Sequence, residues 1–373
     1  MFEDVAYTRK GLRDSKCVDG LNRLPSVLGH INLVCGRGEC EPIACDVGKR
    51  LAISVRRNRQ AAGIKKYTVG ESSVGATSPW REYGVLISAL ILLGALWGGS
   101  FVLQRITAGS FGAFPLVFVR LALGALALSP FLWRVRKRLT RGTWLKFAGV
   151  GLLTSAIPFA LFAWGAEQAP ASVGAITNSL TAPFAALVGW VVFHNRISIV
   201  RTLGIFLGFC GVLALVGVHY EKGVAFAALA GTLASLCYAI GGQLVPRLFS
   251  KLPPLAIASA TLGTGAVLTA GPAIATWPKH PLGIGLWISV AALGSVCTGF
   301  AYGLYFYLIA RIGAARAATV TYLIPLFAIL LAWIFLDEPP TWRIVSAGGL
   351  IIIGVLMSQS GSRGLPPRHR HAN

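Results

Sequence analysis

The chain has 373 residues, 55% of them hydrophobic and 13% charged, with a formal net charge of +21. An ordinary soluble domain carries about 25% charged residues, so this composition excludes a conventional soluble protein and points to lipid. Nucleic acid is not implied as a partner, because no nucleic-acid motif accompanies the basic excess and, in a membrane protein, the placement of charge outweighs its sum.

Residues 1–83 hold 14 Lys plus Arg and 9 Asp plus Glu, leaving 20 basic and 4 acidic residues for the remaining 290. The stretches "RRNRQAAGIKK" and "GESSVGATSP" lack apolar periodicity, so this segment reads as a basic, disordered tail. The alternative is an over-extended reading frame whose start lies near Gly84. No apolar h-region of a secretory signal occupies the first 30 residues. Cys35, Cys40 and Cys45 are spaced C-x4-C-x4-C, unlike the paired C-x2-C hooks of a zinc site, and no metal or other cofactor is expected.

From Gly84 onward the chain is a series of apolar runs. A bilayer core of about 30 Å needs about 20 apolar residues per helical span. Uncharged runs of that order occupy 84–104, 147–166, 168–193, 202–220, 223–246, 252–278, 280–310, 317–336 and 344–362, and a tenth, 106–133, is interrupted only by Arg120. These runs are too long for barrel strands and lack the polar face of a soluble helix, so ten transmembrane helices are predicted. With the N-terminus inside, the inner loops and the C-terminal tail 361–373 carry fifteen Lys and Arg residues against four in the outer loops. The positive-inside rule then puts both termini in the cytoplasm.

The spans repeat. "APASVGAITNSLTAPFAALVGWVVFHNRIS" (169–198) aligns without a gap on "IGAARAATVTYLIPLFAILLAWIFLDEPPT" (312–341), an offset of 143 residues that pairs Trp190 with Trp333. The same offset pairs Phe159 with Tyr302, Trp164 with Tyr307, and "GVL" at 211–213 with "GVL" at 354–356. The chain therefore divides into a first five-helix repeat, 84–218, and a second, 223–360. Because five is odd, the second copy enters the membrane from the opposite face, the inverted-repeat device of transporters.

The stretches "GALWGGSFVLQR" (94–105), "FVRLALGALAL" (118–128) and "PLFAILLAWIFLDEPPTWRIVSAGGLIIIGVLM" (325–357) make the two halves resemble EamA domains. The core as a whole is similar to the drug/metabolite transporter superfamily. The first copy departs from the family pattern, with His194 and Asn195 where a Gly-Glu-like pair is usual. The resemblance implies an all-α integral membrane fold of two inverted five-helix repeats, and export or exchange of small metabolites, amino acids or drug-like molecules across the cytoplasmic membrane. Carriage of sugar nucleotides, sugar phosphates or another anion is the alternative within the superfamily, with a membrane-embedded enzyme behind it.

Arg120 is the one formal charge deep inside a span, roughly 15 Å from the outer end of its helix. A charge there costs about 2.5 to 3.5 kcal/mol on insertion scales, so it marks either a site for an anionic group or an internal staple. The family pattern carries an Arg here across many substrates, which leaves both readings open. No Asp or Glu lies mid-span, which argues against a carboxylate proton relay. Further cavity residues are sought among polar and aromatic side chains within spans: Trp97, Gln104, Trp164, Thr177, Asn178, Tyr238, Gln243, Tyr302, Tyr307, Thr321 and Tyr322. Each of these also has a plainer use in hydrogen bonding between helices. Pairs such as Gly94 with Gly98 and Gly204 with Gly208 have the G-x-x-x-G spacing of close helix packing, within one chain or across a homodimer. Asp337 and Glu338 read as helix-end punctuation, placed to suit the N-terminus of the tenth helix. No H-E-x-x-H, G-x-S-x-G or phosphate-binding G-x-x-x-x-G-K-[ST] occurs, so no catalytic residue is named and the expected partners are the lipid bilayer and a small-molecule substrate.

Overall fold

The computed structural model describes residues 33–36, 39–42, 53–55, 69–71, 79–194, 198–216 and 222–360. Asn195, Cys45 and the tail 361–373, all named above, lie outside the described residues. The chain divides into two compact units, Met1–Thr77 and Ser78–Asn373. In the first, where little regular structure was expected, β1 (Leu33–Gly36) pairs antiparallel with β2 (Glu39–Pro42), and β3 (Ile53–Val55) with β4 (Val69–Glu71). Cys35 stands opposite Cys40 in the first ladder. Two-stranded ladders of three and four residues are too short to be stable alone.

Among the described residues, the regular structure of the second unit is all helical. Its ten principal helices are α1 (Pro79–Phe111), α2 (Ala113–Val135), α3 (Arg141–Gln168), α4 (Ala171–Val191), α5 (Ile199–Val216), α6 (Lys222–Leu248), α7 (Pro254–Ala275), α8 (Ile284–Ile312), α9 (Val320–Leu336) and α10 (Trp342–Ser360). Seven are long and apolar enough to cross a membrane, and α5, α9 and α10 are shorter apolar helices. Large apolar side chains point outward, Leu213, Val267, Ile274 and Ile284 among them, each more than 70% exposed. In water such a belt would be a liability, whereas in lipid it is the solvated surface.

Local chemistry sets the ends. Thr140 caps α3 by accepting the Thr143 backbone N–H at 3.2 Å. Pro254 opens α7, where its missing N–H costs nothing. Asp337 ends α9 in the left-handed region at φ 51°, and His194, its mate at the 143-residue offset, does the same after α4 at φ 56°. The repeat read in the sequence is thus also present in backbone conformations that L-residues rarely adopt. A second example lies in α3 and α8, which carry π-helical segments at Leu152–Ala156 and Ala292–Phe300. The same offset carries the first segment into the second.

Packing follows the duplication. α2 runs antiparallel to α7, with Leu121 near Gly265 and the Ser259 hydroxyl donating to the Ala125 carbonyl at 3.1 Å. α5 runs antiparallel to α10, with Gly204 facing Gly354 and Ser358 while Gly211 faces Ile351 and Ala347. α1 and α9 run parallel, Gly94 on Leu323 and Gly98 on Phe327; so do α4 and α6, where the Ser235 hydroxyl donates to the Thr177 carbonyl and Gln243 Nε2 to the Ala185 carbonyl. Exchanging each helix with the one five places later maps these pairings onto one another, and carries α3 on α6 to α8 on α1.

Lipid supplies no hydrophobic drive for helices to associate, so close backbone approach must do so. A Cβ on Gly204 would lie 2.6 Å from the Gly354 carbonyl oxygen, and one on Gly98 would lie 2.8 Å from the Ile324 carbonyl oxygen. Both G-x-x-x-G pairs therefore pack within the chain, against α10 and α9.

Candidate functional site

Between the halves lies a cavity of about 250 Å³. Its wall is built by α1 (Trp97, Ser100, Phe101, Gln104), α2 (Arg120), α3 (Phe159, Phe162), α4 (Asn178, Thr181), α6 (Tyr238), α8 (Cys297, Thr298, Tyr302, Tyr305) and α9 (Val320, Thr321, Ile324). The wall obeys the repeat. Phe159 and Tyr302, Phe162 and Tyr305, Asn178 and Thr321, and Thr181 and Ile324 are all mates at the 143-residue offset, and all eight face the space.

Two helix irregularities open this wall. Within α4 the pattern breaks at Ser179 and Leu180, whose N–H groups reach back only three residues, to the Ile176 and Thr177 carbonyls. Pro183 follows and has no N–H to restore the ladder. The Thr181 hydroxyl donates to the Asn178 carbonyl at 2.8 Å, occupying one freed acceptor. The entry to α9 is similar: a single helical turn, Ala314–Ala317, gives way to three-residue turns at Thr321 and Tyr322, with Pro325 beyond. The Thr321 hydroxyl donates to the Ala318 carbonyl at 2.8 Å. Broken helices are tolerated at membrane depth where they line a cavity, as Asn178, Thr181 and Thr321 do here.

Arg120 is buried at one corner. Its Nε donates to Thr298 Oγ1 at 3.1 Å and its Nη1 to Gln104 Oε1 at 2.6 Å, while the guanidinium carbon lies 4.5 Å from the centre of the Phe159 ring. Thr298 can accept because its own hydroxyl donates to the Leu293 carbonyl five residues back, across the π-helical segment of α8. Arg120 therefore ties α1, α2, α3 and α8 together, as the staple reading expects. It also faces the cavity, and its Nη2 has no hydrogen-bond partner among the described residues. Gln104 Nε2 is buried with no partner either. No carboxylate among the described residues lines the space.

The remaining wall is aromatic. Trp97 meets Tyr302 edge-on with centroids 6.3 Å apart and Tyr305 at 5.2 Å, and Tyr238 stacks on Phe162 at 6.2 Å. Phe101 meets Phe162 edge-on at 5.4 Å, and this pair also lines a much smaller void beside Ala166 and Ala171. Next to that void, Arg105 Nε pairs with Glu338 Oε1 at 3.3 Å, Arg105 Nη1 donates to the Ala166 carbonyl at 2.6 Å, and Glu338 Oε2 accepts the Ala171 N–H at 3.0 Å. Glu338 thus serves the N-terminus of α4, not that of α10, which corrects the sequence reading; Asp337 does end α9.

Of the twelve sequence-derived residues, Trp97, Gln104, Arg120, Asn178, Tyr238, Tyr302 and Thr321 line the cavity. The other five stand elsewhere. Trp164 and Tyr307 are 40% and 41% exposed on the outer surface, Trp164 against Phe226 and Tyr307 beneath Arg311. Thr177 and Gln243 are engaged between α4 and α6, and Tyr322 packs in the core formed with α10. Phe101, Phe162 and Tyr305 had not been singled out. The signal for the last two was the repeat itself: each lies three residues, one helical turn, beyond Phe159 or Tyr302.

The profile of the EamA-like transporter family matches residues 85–217 and, a second time, 225–359. The chain belongs to the EamA-like transporter family. This EamA-family chain is a multi-pass membrane protein carrying two copies of one domain, as the 143-residue offset had indicated. Its relatives include an Archaeoglobus fulgidus protein described as an uncharacterized transporter, 24% identical over 272 residues, 71% of this chain and 95% of that one. YoaV of Bacillus subtilis, also described as an uncharacterized transporter, is 22% identical over 72% of this chain and 94% of its own. YedA of Escherichia coli K12, described as an uncharacterized inner membrane transporter, is 26% identical over 68% and 83%. A crystal structure 19% identical in sequence superposes with a TM-score of 0.54, covering 74% of this chain and 97% of the other, a likeness of fold.

Proposed function

We propose that this membrane transporter is a secondary carrier that moves a small metabolite, amino acid or drug-like molecule across the cytoplasmic membrane by alternating access, in export or exchange, from a central site at the cavity. The observation that carries the reading is the composition of the wall: four pairs of repeat mates from both halves face one space. Two halves that share a site can rock about it and expose it to each side in turn. Inversion of the repeats is supported by helix direction, since α2 and α7, and likewise α5 and α10, exchange under the duplication and run antiparallel. The excess of basic residues in alternate loops supports an orientation with both termini in the cytoplasm.

The layer formed by Phe101, Phe162 and the Arg105–Glu338 pair closes one end of the site, the outer end in that orientation. The alternative cargo, sugar nucleotides or sugar phosphates, is disfavoured by charge: Arg120 is the one cationic side chain in the described wall. Uptake into proteoliposomes holding the purified full chain tests the reading, with amino acids, aromatic acids, amines and sugar phosphates as solutes. Saturable uptake of at least one solute above that of protein-free vesicles is expected. Uptake equal to protein-free vesicles for every solute would contradict it.

A further inference from the structure

Resting on the transport reading above, we infer that the cargo is an organic monoanion, a carboxylate on an aromatic or bulky apolar body, held through Arg120 and Gln104. Three observations converge on one corner of the cavity. Arg120 brings a positive charge to the middle of the protein with no carboxylate in the wall to balance it, and such a charge is costly until an anion arrives. One N–H each of Nε and Nη1 is used on Thr298 and Gln104, and Nη2 has no partner among the described residues. Gln104 Nε2, on a side chain only 2% exposed, is the second orphan.

The orientation of the Gln104 amide is fixed by its neighbour. Arginine has only donors, so Oε1 must face Arg120 and Nε2 must be the atom left over. A carboxylate oxygen entering the cavity would accept from Arg120 Nη2, while Gln104 holds the guanidinium through Oε1. A single guanidinium beside a neutral amide is sized for one negative charge, whereas a dianionic phosphate would call for more cations. The rest of the wall, with Trp97, Phe159, Tyr238 and Tyr302 arranged edge-on or stacked, offers ring faces and edges to an apolar body. An amine would meet Arg120 as a like charge and find only neutral acceptors.

The test uses three ligands with one body: 3-phenylpropionate, phenylalanine and phenethylamine, an anion, a zwitterion and a cation at neutral pH. Calorimetric titration of the full chain in detergent micelles ranks their affinities, and proteoliposome uptake ranks their flux. The acid is expected to bind about tenfold or more tightly than the amine, with the amino acid between them. Arg120→Gln should erase this ranking, and Arg120→Lys, which keeps the charge but not the planar fork, should keep the order at lower affinity. If the glutamine variant fails to fold, the ranking by the unaltered chain still decides. Equal or tighter binding of the amine, or binding of none of the three, would overturn the anion assignment. Saturable flux of the amine would do so while leaving transport standing, and only loss of flux for every solute in the wider panel would remove the transport reading.

Discussion

Arg120 is a staple through Thr298 and Gln104 and, under the anion proposal, the binding group as well. The sequence placed it at mid-membrane and left two readings open; the structure supports the staple through Thr298 and Gln104 without exhausting the guanidinium. Thr298→Val is expected to cost about 1–3 kcal/mol, because it strands a buried charged donor. Thr177→Val should cost less than Thr298→Val, since the Thr177 hydroxyl bonds only to carbonyls of its own helix and strands no charged donor. Thermal unfolding midpoints of the two variants in one detergent check the contrast, which equal shifts would refute. The residues that sequence reading misplaced share a physical cause. In a lipid-facing helix, an aromatic ring toward lipid and one toward a cavity look alike, because neither side demands a polar partner. Phe162 faces the cavity and Trp164, about 200° further round the same helix, does not.

Helices were the most legible elements, because ten apolar runs leave few alternatives when backbone groups must be satisfied internally. Their irregularities were less so. Pro183 and Pro325 follow the breaks in α4 and α9, and Pro158 follows the π-helical segment of α3, but no proline lies in α8, whose segment became visible only as geometry. Glu338 was read from its local position at a helix end, whereas its partners, Arg105 and Ala171, are more than 160 residues away in sequence. Such a half-exposed ion pair is worth about 0–1 kcal/mol, so Glu338→Gln should barely change stability. It should nevertheless loosen the end of the cavity it bridges. A cysteine at Ala166 is expected to react several-fold faster with a membrane-impermeant maleimide in the Glu338→Gln background, and unchanged rates would contradict a closing role for the pair. The α5–α10 contact offers a sharper stability test. Gly204→Leu would drive a side chain into the Gly354 backbone and should cost about 1–3 kcal/mol or more, while Gly349→Ala, with open space around it, should be neutral or stabilising by about 0.5–1 kcal/mol. Fluorescence-detected size exclusion after graded heating separates the two outcomes.

For the helical unit as a whole, one duplication organises the helix pairings. It sets the antiparallel pairing of α2 with α7 and of α5 with α10, the matched left-handed caps at His194 and Asp337, and the mated residues of the cavity wall. It was legible early because a constant offset survives even when individual residues diverge, as His194 and Asp337 have. Substrate chemistry was legible only as far as the charge of Arg120; which polar atoms remain unpaired after folding, Gln104 Nε2 among them, no linear pattern records. Alternating access is the central claim, and counterflow measures it most directly. Proteoliposomes carrying the full chain, preloaded with unlabelled 3-phenylpropionate or another transported solute, should take up the labelled solute several-fold faster than empty-lumen vesicles and with saturation. Uptake that rises linearly with concentration and ignores the solute inside would contradict a rocking carrier and indicate an open pore.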